Sequence, residues 1–125
     1  MIHANSVCKG TFHFQIEALA GERRVIAVDL PGHGQSSDAI DPLRTYNFNG
    51  YASAICEVIG ALGLDRFAIL GHSLAGHVAL ELVRLLPENA AGTMIFSTPP
   101  IPLAPKVQRS ASFPSQNSPT QGNRS

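Results

Sequence analysis

Charge is what this sequence has least of. Only 14% of its residues are Asp, Glu, Lys or Arg, against about 25% in an ordinary soluble domain, and the formal net charge is zero. No basic face invites nucleic acid or an anionic membrane, so the expected partner is a small neutral molecule or a protein. Long apolar runs are missing too. None approaches the roughly 20 residues that span a bilayer, and the N-terminus lacks the charged and apolar regions of a secretory signal, which predicts a cytoplasmic protein without membrane attachment. Cysteine is limited to Cys8 and Cys56, whose spacing suits neither a metal site nor a disulfide framework. Free thiols and no metal are expected. Chemistry-bearing residues stop early, the last histidine being His77 and the last carboxylate Glu88. The 125 residues suffice for one small domain with a real core.

What is present alternates between helical and strand periodicity, the signature of βαβ units around a parallel sheet. From Thr11 to Ala20 the apolar residues Phe12, Ile16 and Leu19 predict a helix, with Gly21 placed for a left-handed cap. Val25 to Val28 is a continuous apolar run, as in a buried parallel strand, and predicts a strand over Arg24 to Asp29. Ala52, Ile55, Ile59 and Leu62 make one stripe of a helix from about Phe48 to Leu62, stopped by Gly63-Leu64. Phe67 to Gly71 and Thr93 to Ser97 read as further strands. Between them a helix faces Ala75, Val78, Ala79, Leu82 and Leu86 inward until Pro87 ends it. Beyond Pro105 the chain is polar and Ser/Gln/Asn-rich, which predicts a disordered tail over 106–125 after a domain over 1–105.

Ser73 is the leading catalytic candidate. In Ile69-Leu70-Gly71-His72-Ser73-Leu74-Ala75-Gly76-His77 an apolar run breaks at a glycine-flanked serine and resumes at helical spacing. A sharp strand-to-helix turn lifts a hydroxyl above a sheet only where the neighbouring residues are small. A serine nucleophile also needs a histidine base steadied by an acid. His72 is expected to pack under the loop, His77 to be structural or solvent-facing, and His33 to lie on the surface of a glycine-rich loop. Glu81 and Glu88 sit on the helix leading away from Ser73, too far along its axis to orient a base.

Three motifs in order resemble the α/β-hydrolase family, from Ile2 to about Pro105. Ile2-His3-Ala4-Asn5-Ser6 is similar to the His-Gly loop after the family's third strand, Asp29-Leu30-Pro31-Gly32-His33-Gly34-Gln35-Ser36 to its strand-four turn, and Gly71 to Gly76 to its nucleophile elbow. The resemblance implies a partial α/β-hydrolase fold, a three-layer sandwich with a mostly parallel sheet. It implies Ser73 as nucleophile, the backbone N–H groups of Asn5 and Leu74 as oxyanion donors, and a structural role for Asp29. Cys8 would be a pocket thiol. The implied activity is hydrolysis of an ester, lactone or similar small-molecule acyl compound, with no cofactor. Ala4 and Ala75 stand where the family usually has glycine. The resemblance starts inside the third strand and ends just past the sixth, so the strands carrying the family's histidine and acid are expected to be absent and the chain alone inactive. A non-catalytic remnant that binds a small molecule or a protein is the alternative.

Overall fold

In the computed structural model, residues 1–100 are described, so the expected boundary at 105 and the expected tail lie outside the described residues. A 3-10 turn at Lys9–Phe12 leads into α1 (His13–Leu19), followed by α2 (Pro42–Thr45), α3 (Phe48–Ala61), β1 (Phe67–His72), α4 (Leu74–Leu85) and β2 (Ala90–Phe96). β1 and β2 pair in parallel, with Gly71 opposite Ile95 and His72 opposite Phe96. Ile2 extends this sheet on the other side through parallel bridges to both Gly71 and Val28. The order across the sheet is therefore Val28, Ile2, β1, β2. The connection between the two strands is α4, as a parallel crossover requires.

The core lies where α3 and α4 meet the sheet. Ile2, Leu30, Ala52, Ile55, Ile69, Ala75, Val78, Ala79 and Leu82 are all buried there. Their spacing on α4 is that of the expected inward stripe, and Leu86 caps the helix just before Pro87. α3 is capped by Asn47, whose side chain accepts from the Gly50 amide, and stops before Gly63, which has φ +60°. This left-handed residue is the stop that the sequence predicts.

Three expectations are corrected. Arg24 to Asp29 forms no ladder, only the bridge at Val28, because its neighbour is the short Met1–His3 segment and a three-residue partner cannot propagate one. The last strand begins at Ala90 rather than Thr93, since the small residues Ala90 to Gly92 carry no hydrophobic signal yet pair with Phe67 and Ala68; Ser97 ends it at φ +53°. The first helix starts at His13, with Phe12 buried in the preceding 3-10 turn, and its cap is Ala20 in a right-handed conformation rather than Gly21. The short α2 was not anticipated. Asp41 accepts from the Arg44 amide and Pro42 occupies the first turn, an N-terminal signal carried by two adjacent residues without any apolar periodicity behind it.

Candidate active site

Ser73 stands between the last residue of β1 and the first of α4, with φ 55° and ψ −118°. That conformation is costly for an L-residue, on the order of 1–3 kcal/mol, and persists only where the surroundings impose it. Three contacts do so. The Ser73 amide donates to the Phe96 carbonyl at 2.9 Å, and the Ser73 carbonyl accepts from the Gly76 amide at 2.9 Å and from Thr98 Oγ1 at 2.9 Å. Close packing then fixes the flanks. A Cβ at Gly71 would fall on the Ala75 carbonyl, and one at Gly76 on the Thr98 side chain. The alanine at position 75 is itself fully buried without conflict, because the tight approach is made at Gly76.

A serine in the N-cap position ordinarily turns its hydroxyl back to the second or third amide of the helix. Ser73 makes no such cap, and its Oγ has no hydrogen-bond partner among the described residues. The hydroxyl is thus left available at a helix N-terminus, where orphan amides and the helix dipole favour negative charge. The Leu74 N–H is one of these amides and has no backbone acceptor among the described residues.

The loop carrying Asn5 reaches the same end of the sheet. Ile2 donates to the Leu70 carbonyl at 2.8 Å and its own carbonyl accepts from the His72 amide at 3.1 Å, so the segment runs parallel to β1 and leaves the sheet where β1 does. Buried His3 fixes the exit. Its Nδ1 is 2.7 Å from the Ala4 carbonyl, which requires a proton there, and its Nε2 accepts from the Leu30 amide at 3.0 Å. Burial holds this histidine below its ordinary pKa, with the nearby His33 acting in the same direction. Ala4 is not among the residues with positive φ; the left-handed turn falls on Ser6 at φ +61°.

Asp29 is the anchor of the neighbouring turn. Its carboxylate, 2% exposed, accepts from the Lys9 amide and ammonium at 2.6 Å each and from the Gln35 amide at 3.0 Å. Burial pushes its pKa up, but the Lys9 ammonium and the two amides outweigh this and hold the carboxyl well below the usual range. A Cβ at Gly34 would collide with this carboxylate. The residue is committed to the turn, in the structural role that the sequence implies.

Every histidine is engaged away from Ser73. His3 bridges Ala4 and Leu30; His13 lies 3.6 Å from Glu17 on the surface of α1. His72 stacks on Phe96 with ring centroids 4.5 Å apart, and His77 packs on Phe48 while meeting the Pro99 carbonyl at 2.8 Å. His33 was expected to be a surface residue, yet it is half-buried and touches Pro31, Asn5, His3 and Tyr51. Glu81 pairs with Arg84 on the outside of α4. Cys8 and Cys56 are both free thiols, and burial raises the Cys56 pKa.

Two hollows border this framework. A shallow one of about 390 Å³ is lined by Ser6, Val7, Cys8, Gly32, His33 and Gly34, beside the Asn5 loop. A larger apolar cleft of about 780 Å³ runs along Ile2, Val28, Ile69 and Met94 and includes none of Asn5, Ser73 or Leu74. It is a bare stretch of sheet and helix rather than part of the elbow.

The sequence profile of the Alpha/beta hydrolase family matches residues 1–124. This chain belongs to that family. A solved α/β hydrolase described as the N-acyl homoserine lactonase AidH complexed with N-butanoyl homoserine superposes with a TM-score of 0.75 and 48% identity, over 81% of this chain and 37% of that one. The serine hydrolase-like protein of Danio rerio is 35% identical over 78% of this chain and 29% of its own length. The pimeloyl-[acyl-carrier protein] methyl ester esterase of Nitrosomonas europaea is 32% identical over 80% of this chain and 36% of its own length. The chain therefore spans about a third of these α/β hydrolases, with 29% to 37% of each covered. Its described part is a partial α/β-hydrolase fold with helices packed on a parallel sheet. No helix among the described residues is long and apolar enough to cross a membrane.

Proposed function

We propose that this chain carries the nucleophile and oxyanion half of a serine hydrolase acting on a small ester, lactone or similar acyl compound. The observation that carries this reading is the uncapped hydroxyl of Ser73, held at positive φ on the N-terminus of α4. Ser73 Oγ attacks the acyl carbon, the bond to the leaving alkoxide breaks, and water then cleaves the acyl-serine ester to restore the hydroxyl. The Leu74 and Asn5 amides hold the oxyanion of each tetrahedral intermediate, each worth on the order of 3 kcal/mol in the transition state. The similarity to an N-acyl homoserine lactonase and to a methyl ester esterase supports esters and lactones as the substrate class.

The proton of Ser73 must go to a base, and the five histidines of this chain are engaged elsewhere. Residues 101–125 contain no His, Asp or Glu. The base and its acid are supplied from outside these 125 residues, and the chain alone turns over essentially no substrate. Loss of a triad base costs about a millionfold in kcat. The test is fluorophosphonate labelling and ester hydrolysis by the full chain and by Ser73→Ala. Slow labelling confined to Ser73 without turnover is the expected result. Turnover near an ordinary 10 s⁻¹ that disappears in the variant would reveal a base within the chain and overturn this account. No labelling at all would favour the second reading, a small-molecule or protein binding module, which the engagement of all five histidines supports.

A further inference from the structure

We propose that His33 is a positioning residue that sets the Asn5 loop through the Asn5 side chain; the consequence for catalysis rests on the reading of the Asn5 amide as an oxyanion donor. From Asn5 to Val7 the backbone has no hydrogen bond to other backbone groups, and Ser6 adopts φ +61°. Among the described residues the one hydrogen bond made anywhere in this stretch joins Asn5 Oδ1 to His33 Nε2 at 3.3 Å. The Ala4–Asn5 peptide that carries the Asn5 N–H is held at its carbonyl by His3 Nδ1, and the chain beyond it is held through the Asn5 side chain by His33.

The ring making this contact is itself fixed. His33 Nδ1 lies 3.1 Å from the Pro31 carbonyl, the His3 ring is 5.1 Å away at a 54° tilt, and Tyr51 presents its edge at 6.2 Å. Pro31 comes from the same turn, His3 from the buried segment beside β1, and Tyr51 from α3, so His33 reports the relative placement of three parts of the fold. The titratable groups facing it are His3 and Tyr51, with the Asp29 to Lys9 pair behind His3. An Nδ1–H donates to the Pro31 carbonyl, and the Asn5 amide, which carries both a donor and an acceptor edge, can meet Nε2 with either.

The experiment uses the whole ¹⁵N-labelled chain. In the unmutated protein the Asn5 side-chain NH₂ should show nuclear Overhauser contacts to the His33 ring. His33→Ala should move the Asn5 backbone and side-chain resonances while those of Leu74 and the α4 core stay, and His33→Gln should bring them part of the way back. Labelling of Ser73 by a fluorophosphonate should slow about tenfold in His33→Ala, less than the hundredfold expected for full loss of an oxyanion donor. An Asn5 side chain with no such contact to the His33 ring overturns the proposal, whether or not the variants fold. So does an unchanged Asn5 in a folded His33→Ala. If Ser73 of the parent does not label but Asn5 responds to His33→Ala, the contact stands and it is the hydrolase reading that falls.

Discussion

The amide of Ser73 donates to the carbonyl of Phe96, 2.9 Å away, so the residue at the elbow is tied to the far end of β2 as well as to its own strand. Phe96 also lies under His72 in a parallel ring stack. Strain at Ser73 is therefore held by a tertiary contact, and the elbow should soften whenever β2 detaches.

The glycines give the sharpest test of this packing. Gly71→Ala places a methyl group on the Ala75 carbonyl and should cost about 1–3 kcal/mol, the range for overpacking a core. Gly60→Ala sits in α3 with nothing within 4 Å and should stabilise by about 0.5–1 kcal/mol. Urea denaturation of the two variants beside the parent should give changes of opposite sign.

His3 makes the protein sensitive to mild acid. Its folded pKa is lowered by burial, so below the unfolded value of about 6.5 the unfolded chain binds more protons than the native one. The stability it contributes is complete above that pH and is lost as pH falls toward the folded value. Protonation also removes the acceptor of the Leu30 amide. Denaturation curves should show this loss as pH falls below about 6.5 in the parent, and its absence in a uniformly weaker His3→Gln.

Asp29 acts at lower pH. Its folded pKa lies below the unfolded value near 3.9, so its contribution is fully present above that value and declines as pH falls from there through the folded one. The stability difference between the parent and Asp29→Asn should be constant from about pH 5 to 7 and shrink below about pH 4. A difference that instead grows toward low pH would contradict the Lys9 pairing.

β2 leaves one edge unpaired in the described sheet, and Ala90 to Phe96 contains no charge and no proline. Met94 is 62% exposed on it. Such an edge templates pairing with other chains, so the purified polypeptide should aggregate on warming. Met94→Lys should delay the rise in light scattering while leaving the circular dichroism of the monomer unchanged.

Much of this arrangement was legible in the residues. The elbow is written in Gly71, Ser73 and Gly76 because only small residues tolerate the approach of Ala75 and Thr98. The stripes of α3 and α4 follow from burial against a single sheet. Pairing was less legible: Val25 to Val28 has the composition of a strand, but a ladder depends on the partner, and the partner is short. His33 was missed because its contacts come from His3, Asn5 and Tyr51, residues distant in sequence, and no local pattern records them.

Ile2 bridges Val28 on one side and Gly71 on the other, and this has a consequence for the order of assembly. Ile2 meets Val28 early in the sequence but Gly71 only much later, so inserting this segment into the sheet is a long-range event with a correspondingly large entropic barrier. Local helices such as α3 and α4 can form early, whereas the Asn5 loop is delivered to the elbow only when the N-terminal segment slots in. Insertion of the Ile2 segment is thus the step that completes the candidate site, and a chain ending before Gly71 should lack it altogether.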